Sequence, residues 1–131
     1  MPDDARPARR PPLRVRDVPG MGRGVFARRA VRAGEVIEVC PVLVLPGVAD
    51  PAALGGLQHY VFKWAGGRLA VALGYGSLYN HSADPNAAFA RRRGREEIVF
   101  RAVRAVAAGE QIFIDYEWDA ADYAGFERPA G

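Results

Sequence analysis

Residues 78–86 read LYNHSADPN, a stretch in which two asparagines, an aspartate, a histidine and a serine fall within eight positions. A plain turn needs fewer hydrogen-bonding side chains than this. In a purely structural interpretation, Asn80 and Asn86 cap backbone groups and His81 is a core histidine whose hydrogen bonds are satisfied. The alternative is a binding site built around these side chains.

The residue types around this loop disfavour a metal site and a hydrolytic triad. Zinc needs further His or Cys ligands at suitable spacing, and the rest of the chain offers one other histidine, His59, and one cysteine, Cys40. We therefore predict no metal site and no internal disulfide. Ser82, His81 and Asp84 are too close in sequence to point at one another in a catalytic relay.

The composition is that of one small domain rich in β-structure. The chain has 131 residues, of which 50% are hydrophobic, and this is enough for one core and argues against global disorder. Its 15 glycines and 10 prolines indicate many turns and favour a mainly β fold over a helical bundle.

The charge is distributed unevenly along the chain. A pI of about 9.4 suggests nucleic-acid binding, but residues 1–16 hold five arginines and two aspartates, and the remainder holds 13 basic and 13 acidic residues. We therefore disfavour nucleic acid as a partner and interpret the arginines at 91–95 as a solvated hairpin loop. Residues 110–128, with six acidic residues and one basic residue, form either a solvated face or a surface that attracts a basic peptide.

Hydrophobic patterning predicts strands at several places. Alternating apolar and charged residues predict a strand over 13–18, and a cluster of turn residues follows at 19–24. The apolar run 36–45 is interrupted by Pro41 and predicts two short strands or one bent strand.

The second half of the chain continues this pattern. A short helix capped by Asp50 should begin at residue 51 and give way to β-structure, and the glycines at 74 and 76 should pack closely against other parts of the chain. Residues 96–106 and 111–116 favour strands. In the latter, alternation puts Ile112, Ile114 and Tyr116 on one face and Phe113 and Asp115 on the other.

Four segments together resemble the SET-domain protein lysine methyltransferases. In chain order they read GRGVFA at 22–27, GEVIE at 34–38, LYNHSADPN at 78–86 and GEQIFIDY at 109–116. By itself, the first of these fits an ordinary hairpin turn. The chain lacks cysteine-rich flanking modules, so it is similar to the minimal, stand-alone form of the family.

The resemblance implies a fold and a domain division. The fold is mainly β and β-clip-like, with several small sheets and a knot-like crossing in which 109–116 threads beside the LYNHSADPN loop. Residues 1–12 would be a flexible Pro/Arg-rich tail, 13–117 the SET domain and 118–131 an acidic, aromatic C-terminal extension.

The resemblance also implies a cofactor and a set of site residues. The cofactor is S-adenosylmethionine, whose carboxylate Arg23 would pair with, and the catalytic residue is Tyr116. The implied cofactor-binding residues are Gly22, Arg23, Gly24, Asn80, His81, Tyr116 and Trp118. The implied walls of the lysine channel are Tyr75, Tyr79, Phe113 and Ile114.

Some of these assignments leave alternatives open. Core packing is an equal alternative for Tyr75 and Tyr79, and the segment around Trp118 either packs over the cofactor or forms a peripheral cap. Ile114 stands nearest the position where family members carry the Phe or Tyr that sets methyl number, so the number of methyl groups transferred is left open.

The function implied is transfer of a methyl group from S-adenosylmethionine to a lysine amine of a protein or peptide. The alternatives are a catalytically inactive SET-like module that binds peptide or cofactor, and an unrelated small β protein. Minimal family members can pair, so a homodimer is compatible with the resemblance. The first twelve residues lack the apolar stretch of a signal peptide and no run is long enough for a membrane span, so we expect a cytoplasmic protein without membrane contact.

Overall fold

The computed structural model describes residues 10–46 and 51–116, which form two sheets connected by turns and short 3₁₀ helices. The strands are β1 (Leu13–Val18), β2 (Gly22–Ala27), β3 (Val36–Leu45), β4 (Val61–Lys63), β5 (Leu69–Ala72), β6 (Asn80–His81), β7 (Ala87–Arg92), β8 (Glu97–Ala102) and β9 (Gln111–Ile114). The 3₁₀ helices span Pro51–Tyr60, Ala65–Gly67, Gly76–Leu78 and Arg93–Arg95. The mainly β fold predicted from the sequence is confirmed.

The order of strands in the two sheets is β1-β2-β9-β6 and β4-β5-β3-β8-β7. β9 is the last strand of the described chain, yet it lies between β2, to which it is antiparallel, and β6, to which it is parallel. This insertion places 109–116 beside the LYNHSADPN loop, as the resemblance implied.

A single large core connects the two sheets. Val25 of β2, Phe100 of β8 and Ile112 of β9 are fully buried and belong to one apolar cluster. Ile112 and Ile114 are both buried while Asp115 is exposed, so the alternation predicted for the last strand is confirmed. Burial of these side chains is the main force that holds the sheets together.

β3 is one strand with two partners, which resolves the ambiguity in the sequence. From Val36 to Pro41 it pairs with β8, and from Val42 to Leu45 it pairs with β5. A register shift lies between Val36 and Glu38. Pro41 thus stands where the strand passes from one neighbour to the other.

One local prediction needs correction, and another is confirmed in position. Residues 22–24 of the predicted turn cluster do not belong to the turn, because β2 already begins at Gly22, which pairs with Val18. The helix predicted to begin at residue 51 does begin there and gives way to β4 at Val61. It is a 3₁₀ helix over Pro51–Tyr60 and is interrupted at Gly55, where φ is 61°, because a residue with positive φ cannot continue a regular helix. Its predicted cap, Asp50, lies outside the described residues.

The chain ends were predicted as a tail over 1–12 and an extension over 118–131. Residues 1–9 and 117–131 lie outside the described part, but Pro12 is buried and its carbonyl accepts the backbone N–H of Arg28 at 2.8 Å. The packed part of the chain therefore already includes Pro12. Within the described residues, no helix is long and apolar enough to cross a membrane.

Candidate functional site

The site lies where β6 and β9 run side by side. Asn80 pairs with Phe113 and His81 with Ile114 in parallel register, and the backbone N–H of Ser82 donates to the Ile114 carbonyl at 3.0 Å. Two segments about 30 residues apart in sequence are thereby fixed against each other.

Tyr116, directly after this crossing, is held at its backbone and at its side chain. Its N–H donates to Nδ1 of His81 at 3.0 Å, and its hydroxyl donates to the backbone carbonyl of Tyr79 at 2.7 Å. The His81 and Tyr116 rings lie with their centroids 5.0 Å apart. Because the hydroxyl hydrogen is directed at the Tyr79 carbonyl, the phenol oxygen acts toward other groups as an acceptor.

Asn80 ties the same crossing to β2. Its Nδ2 donates to the Arg23 carbonyl at 3.0 Å and to Oε1 of Gln111 at 2.9 Å. The approach leaves no room for a side chain at residue 24, since a Cβ on Gly24 would lie 2.5 Å from Oε1 of Gln111 and 3.0 Å from Nδ2 of Asn80. The GRG segment therefore brings its backbone to the crossing through its second glycine.

Asn86 secures β9 from the other side of the loop. This residue is 1% exposed. Its Oδ1 accepts the Phe113 N–H at 2.8 Å, and its Nδ2 donates to the Gln111 carbonyl at 2.9 Å. A weaker bond of 3.3 Å runs from Nδ2 to Oε2 of Glu110. One amide side chain thus satisfies two backbone groups of β9 in addition to the pairing of this strand with β2 and β6.

A buried polar cluster is formed by Glu38, Cys40 and the hydroxyl of Tyr79. Oε1 of Glu38 accepts the Tyr79 hydroxyl at 2.8 Å, and Oε2 accepts the Tyr75 N–H at 2.9 Å. Burial raises the pKa of Glu38, although these hydrogen bonds and one from Cys40 oppose the rise. Burial, followed by the Glu38 charge, raises the pKa of Tyr79 and of the Cys40 thiol. Tyr79 therefore remains a donor.

The predicted channel residues have different surroundings. The Tyr79 ring is buried in the core against Phe100, with centroids 4.7 Å apart, so the placement of this ring on a channel wall is revised. What Tyr79 offers the site is its carbonyl. Ile114 is fully buried within the main core, whereas Tyr75 and Phe113 are half-buried. Trp118 lies outside the described residues.

The model of the SET domain family matches residues 22–117, which include every segment of the crossing. The chain belongs to the SET-domain family. This SET domain is 32% identical over 126 residues to a histone-lysine N-methyltransferase of Schizosaccharomyces pombe described as specific for H3 lysine-37, with 95% of this chain and 83% of the relative covered.

Other relatives of this SET domain are much longer. It is 35% identical to histone-lysine N-methyltransferase ATX2 of Arabidopsis thaliana, where the match covers 84% of this chain and 12% of the plant protein. Among solved structures, a Plasmodium falciparum protein provisionally assigned as a histone methyltransferase superposes with a TM-score of 0.66 at 26% identity, covering 82% of this chain and 98% of the other.

The residues of this SET domain fit the cofactor that the family implies. S-adenosylmethionine carries a carboxylate and a cationic sulfonium. The exposed Arg23 follows Gly22, where a Cβ would have no neighbouring atom within 4 Å. The Tyr79 carbonyl and the Tyr116 oxygen, 2.7 Å apart at the crossing, carry partial negative charge that suits a cationic sulfonium. The residues described in 10–46 and 51–116 contain no group of three or more His, Cys, Asp or Glu suited to a metal ion.

Sequence reasoning missed two residues of this SET-domain site, Glu38 and Gln111. A signal for Glu38 was present, because it is a lone carboxylate within a run of apolar strand residues, and a buried carboxylate requires specific partners. Gln111 gave no comparable signal, since a glutamine at the start of a strand is ordinary.

Proposed function

We propose that the protein transfers a methyl group from S-adenosylmethionine to the side-chain amine of a lysine in a protein, with Tyr116 as the catalytic residue. The observation that carries this proposal is the hydroxyl of Tyr116 on the Tyr79 carbonyl, 2.7 Å apart, at the crossing of β6 and β9. The alternative of an inactive binding module has no observation of this kind in its favour.

The two oxygens suit methyl transfer. When bound, the cofactor supplies an electrophilic methyl group on a cationic sulfur. Oxygen acceptors fixed at the crossing attract polarised C–H groups weakly, and such contacts support geometry more than affinity. Because methyl transfer requires the amine, the methyl carbon and the sulfur in line, holding these atoms in place accounts for much of the rate.

The cofactor would be held by residues of the GRG segment and the crossing. Arg23 would pair with its carboxylate, Gly22 and Gly24 would let the backbone approach, and Asn80 and His81 would keep these segments in register. The support for this assignment is that Asn80 bonds the Arg23 carbonyl directly. The assignment of Trp118 to the same pocket stays a prediction.

The acceptor lysine must lose its proton before it attacks. A lysine amine in water has a pKa of about 10.4, and an apolar channel next to a cationic sulfonium favours the neutral form. The half-buried rings of Tyr75 and Phe113 remain the candidates for the walls of such a channel.

A histone H3 peptide is the first acceptor to test, since the Schizosaccharomyces pombe relative is described as H3-specific. A homodimer and a cytoplasmic location stay predictions, and the number of methyl groups transferred stays open.

The test is a transfer assay with purified full-length chain, labelled S-adenosylmethionine and either histone H3 or mixed cell proteins. Lys63 is the single lysine of the chain, so label on the enzyme itself would be restricted to one side chain and is removed by Lys63→Arg. Tyr116→Phe should lower kcat by about 100-fold or more, since a positioned catalytic group contributes about 10²- to 10⁴-fold. Tyr60→Phe is the matched control, because Tyr60 is 46% exposed on a 3₁₀ helix.

Thermal stabilisation by S-adenosylmethionine or S-adenosylhomocysteine tests cofactor binding separately from methyl transfer, because a ligand that binds the folded state raises Tm. Stabilisation without transfer to any acceptor would favour the inactive module. Neither stabilisation nor transfer would refute the proposal as a whole.

A further inference from the structure

Glu38 is a buried carboxylate for which the mechanism above has no use. It lies on β3, is 5% exposed, and faces the segment 75–79 that leads into the site. An isolated buried carboxylate is costly unless several donors satisfy it, so the contacts it makes indicate what it does.

The carboxylate holds the segment 75–79 at both of its ends. Oε2 accepts the backbone N–H of Tyr75, and Oε1 accepts the hydroxyl of Tyr79. Between these two points the chain makes the 3₁₀ turn Gly76–Leu78. A carboxylate is suited to this task because both of its oxygens accept and neither donates.

The segment also lies unusually close to β3. A Cβ on Gly74 would lie 2.6 Å from Oε2 of Glu38, and a Cβ on Gly76 would lie 2.9 Å from Sγ of Cys40. Both glycines therefore serve to lay 74–79 directly on the β3 side chains. The segment has little freedom to move while the carboxylate is in place.

The end of this segment is the carbonyl that accepts the Tyr116 hydroxyl at 2.7 Å. We propose that Glu38 is a positioning residue for methyl transfer, which acts by fixing the Tyr79 carbonyl and through it the Tyr116 hydroxyl. This inference rests on the proposed function. Glu38 itself contacts Tyr75 and Tyr79, and we assign it no contact with cofactor or substrate.

Stability alone gives no reason for a carboxylate here. Buried charged groups can often be replaced by apolar residues without loss of stability, and burial raises the pKa of Glu38 against its hydrogen bonds, which means that desolvation is the larger effect. A carboxylate that occupies a buried position despite this desolvation cost is expected where the placement of its hydrogen-bond donors matters.

The experiment compares Glu38→Ala, Tyr79→Phe and Glu38→Gln in the transfer assay, with Tm measured for each. Val31→Ala is the stability control, because Val31 is buried in the core and its backbone pairs with Val106 rather than with the segment 75–79. Glu38→Ala and Tyr79→Phe should each lower kcat by about 10- to 100-fold, the scale expected for a misplacement of about 1 Å. The KM values for cofactor and peptide should stay within about twofold, since only transition-state placement changes.

Glu38→Gln should recover most of the activity lost in Glu38→Ala. Its carbonyl oxygen can accept the Tyr75 N–H while the Tyr79 hydroxyl rotates to accept from the new amide. The inference is overturned if Glu38→Ala and Tyr79→Phe lower kcat no more than Val31→Ala does, or if KM rises in step with the loss of kcat. If the wild-type chain transfers no methyl group, the proposed function has failed and this inference fails with it.

Discussion

Gly24 gives the sharpest test of how the GRG segment meets the crossing. Its backbone φ is not in the left-handed region, so alanine can adopt the backbone conformation and any cost of Gly24→Ala comes from space. A Cβ there would lie 2.5 Å from Oε1 of Gln111, 2.9 Å from Cγ2 of Val18 and 3.0 Å from Nδ2 of Asn80. Distances below 3.0 Å require one of these groups to move.

The expected loss of stability follows from the side chains that have to move. Displacing the Gln111 and Asn80 side chains weakens the hydrogen bonds from Asn80 to Oε1 of Gln111 and to the Arg23 carbonyl, each contributing about 1 kcal/mol. Crowding in a packed site adds about 1 to 3 kcal/mol. We expect Gly24→Ala to lower the free energy of unfolding by about 3 to 5 kcal/mol, which for a domain of this size lowers Tm by about 10 to 20 °C.

Gly94→Ala is the matched control. Gly94 lies in the turn between β7 and β8 and does not have a positive φ, and a Cβ there would have no neighbouring atom within 4 Å. Alanine should therefore be neutral there, or stabilising by about 0.5 kcal/mol through a less flexible unfolded chain. Differential scanning fluorimetry and urea unfolding of both variants measure the difference.

A second substitution identifies the clash. In Gln111→Ala the nearest obstructing atom is gone, so adding Gly24→Ala should cost less than it costs in the wild type, by at least about 1 kcal/mol of coupling. Equal Tm values for Gly24→Ala and Gly94→Ala, or strict additivity with Gln111→Ala, would refute the account of close approach.

Three further changes have defined outcomes. Asn86→Ala removes the hydrogen bonds to the Phe113 N–H and the Gln111 carbonyl and leaves both groups without this partner. Urea unfolding should therefore show that the free energy of unfolding falls by about 2 to 4 kcal/mol. A decrease below about 1 kcal/mol would contradict the role of Asn86 in holding β9. Because burial raises the pKa of Glu38, the folded state binds the proton of this carboxyl more tightly than the unfolded chain does. The stability of the wild type relative to Glu38→Gln should therefore fall as pH rises from about 4.5 toward the raised pKa. A stability difference that stays constant across that range would refute this prediction. Glu35 pairs with the half-exposed Arg29 at 2.7 Å, and this hydrogen bond lowers the pKa of Glu35. Glu35→Gln should therefore lower the free energy of unfolding by less than about 1 kcal/mol at pH 7, and by less still as pH falls through the pKa of Glu35 or as salt is added. A larger loss that does not depend on salt would contradict this prediction.

The strands were predictable where the local pattern decided the structure. β1 matches the alternation at 13–18. The hairpin loop predicted at 91–95 is confirmed for Arg93–Arg95, which connect β7 and β8, but Arg91 and Arg92 belong to β7 and pair with β8. The close packing expected at Gly74 and Gly76 is present. In each of these cases the information lies within a few neighbouring residues.

The partners of the polar side chains were not predictable from local pattern. Asn80 bonds a carbonyl 57 residues away, and Glu38 bonds groups 37 and 41 residues away. The polarity of 79–86 indicated that something was being held, but periodicity does not indicate which backbone groups are held. Only the resemblance to a family pointed to the crossing of β6 and β9.

The buried polar residues explain why such a short crossing is stable. Among the described residues, the buried polar or charged side chains are Glu38, Asn80 and Asn86, and each bonds a segment that carries or supports Tyr116. β6 has two residues and β9 has four, and strands this short do not fix their register by ladder hydrogen bonds alone. Asn86 fixes β9 at Gln111 and Phe113, Asn80 fixes β6 against β2, and Glu38 fixes the segment before β6. An apolar replacement at any of the three would keep the core filled but release the register, so we expect loss of function to precede loss of fold at all three positions.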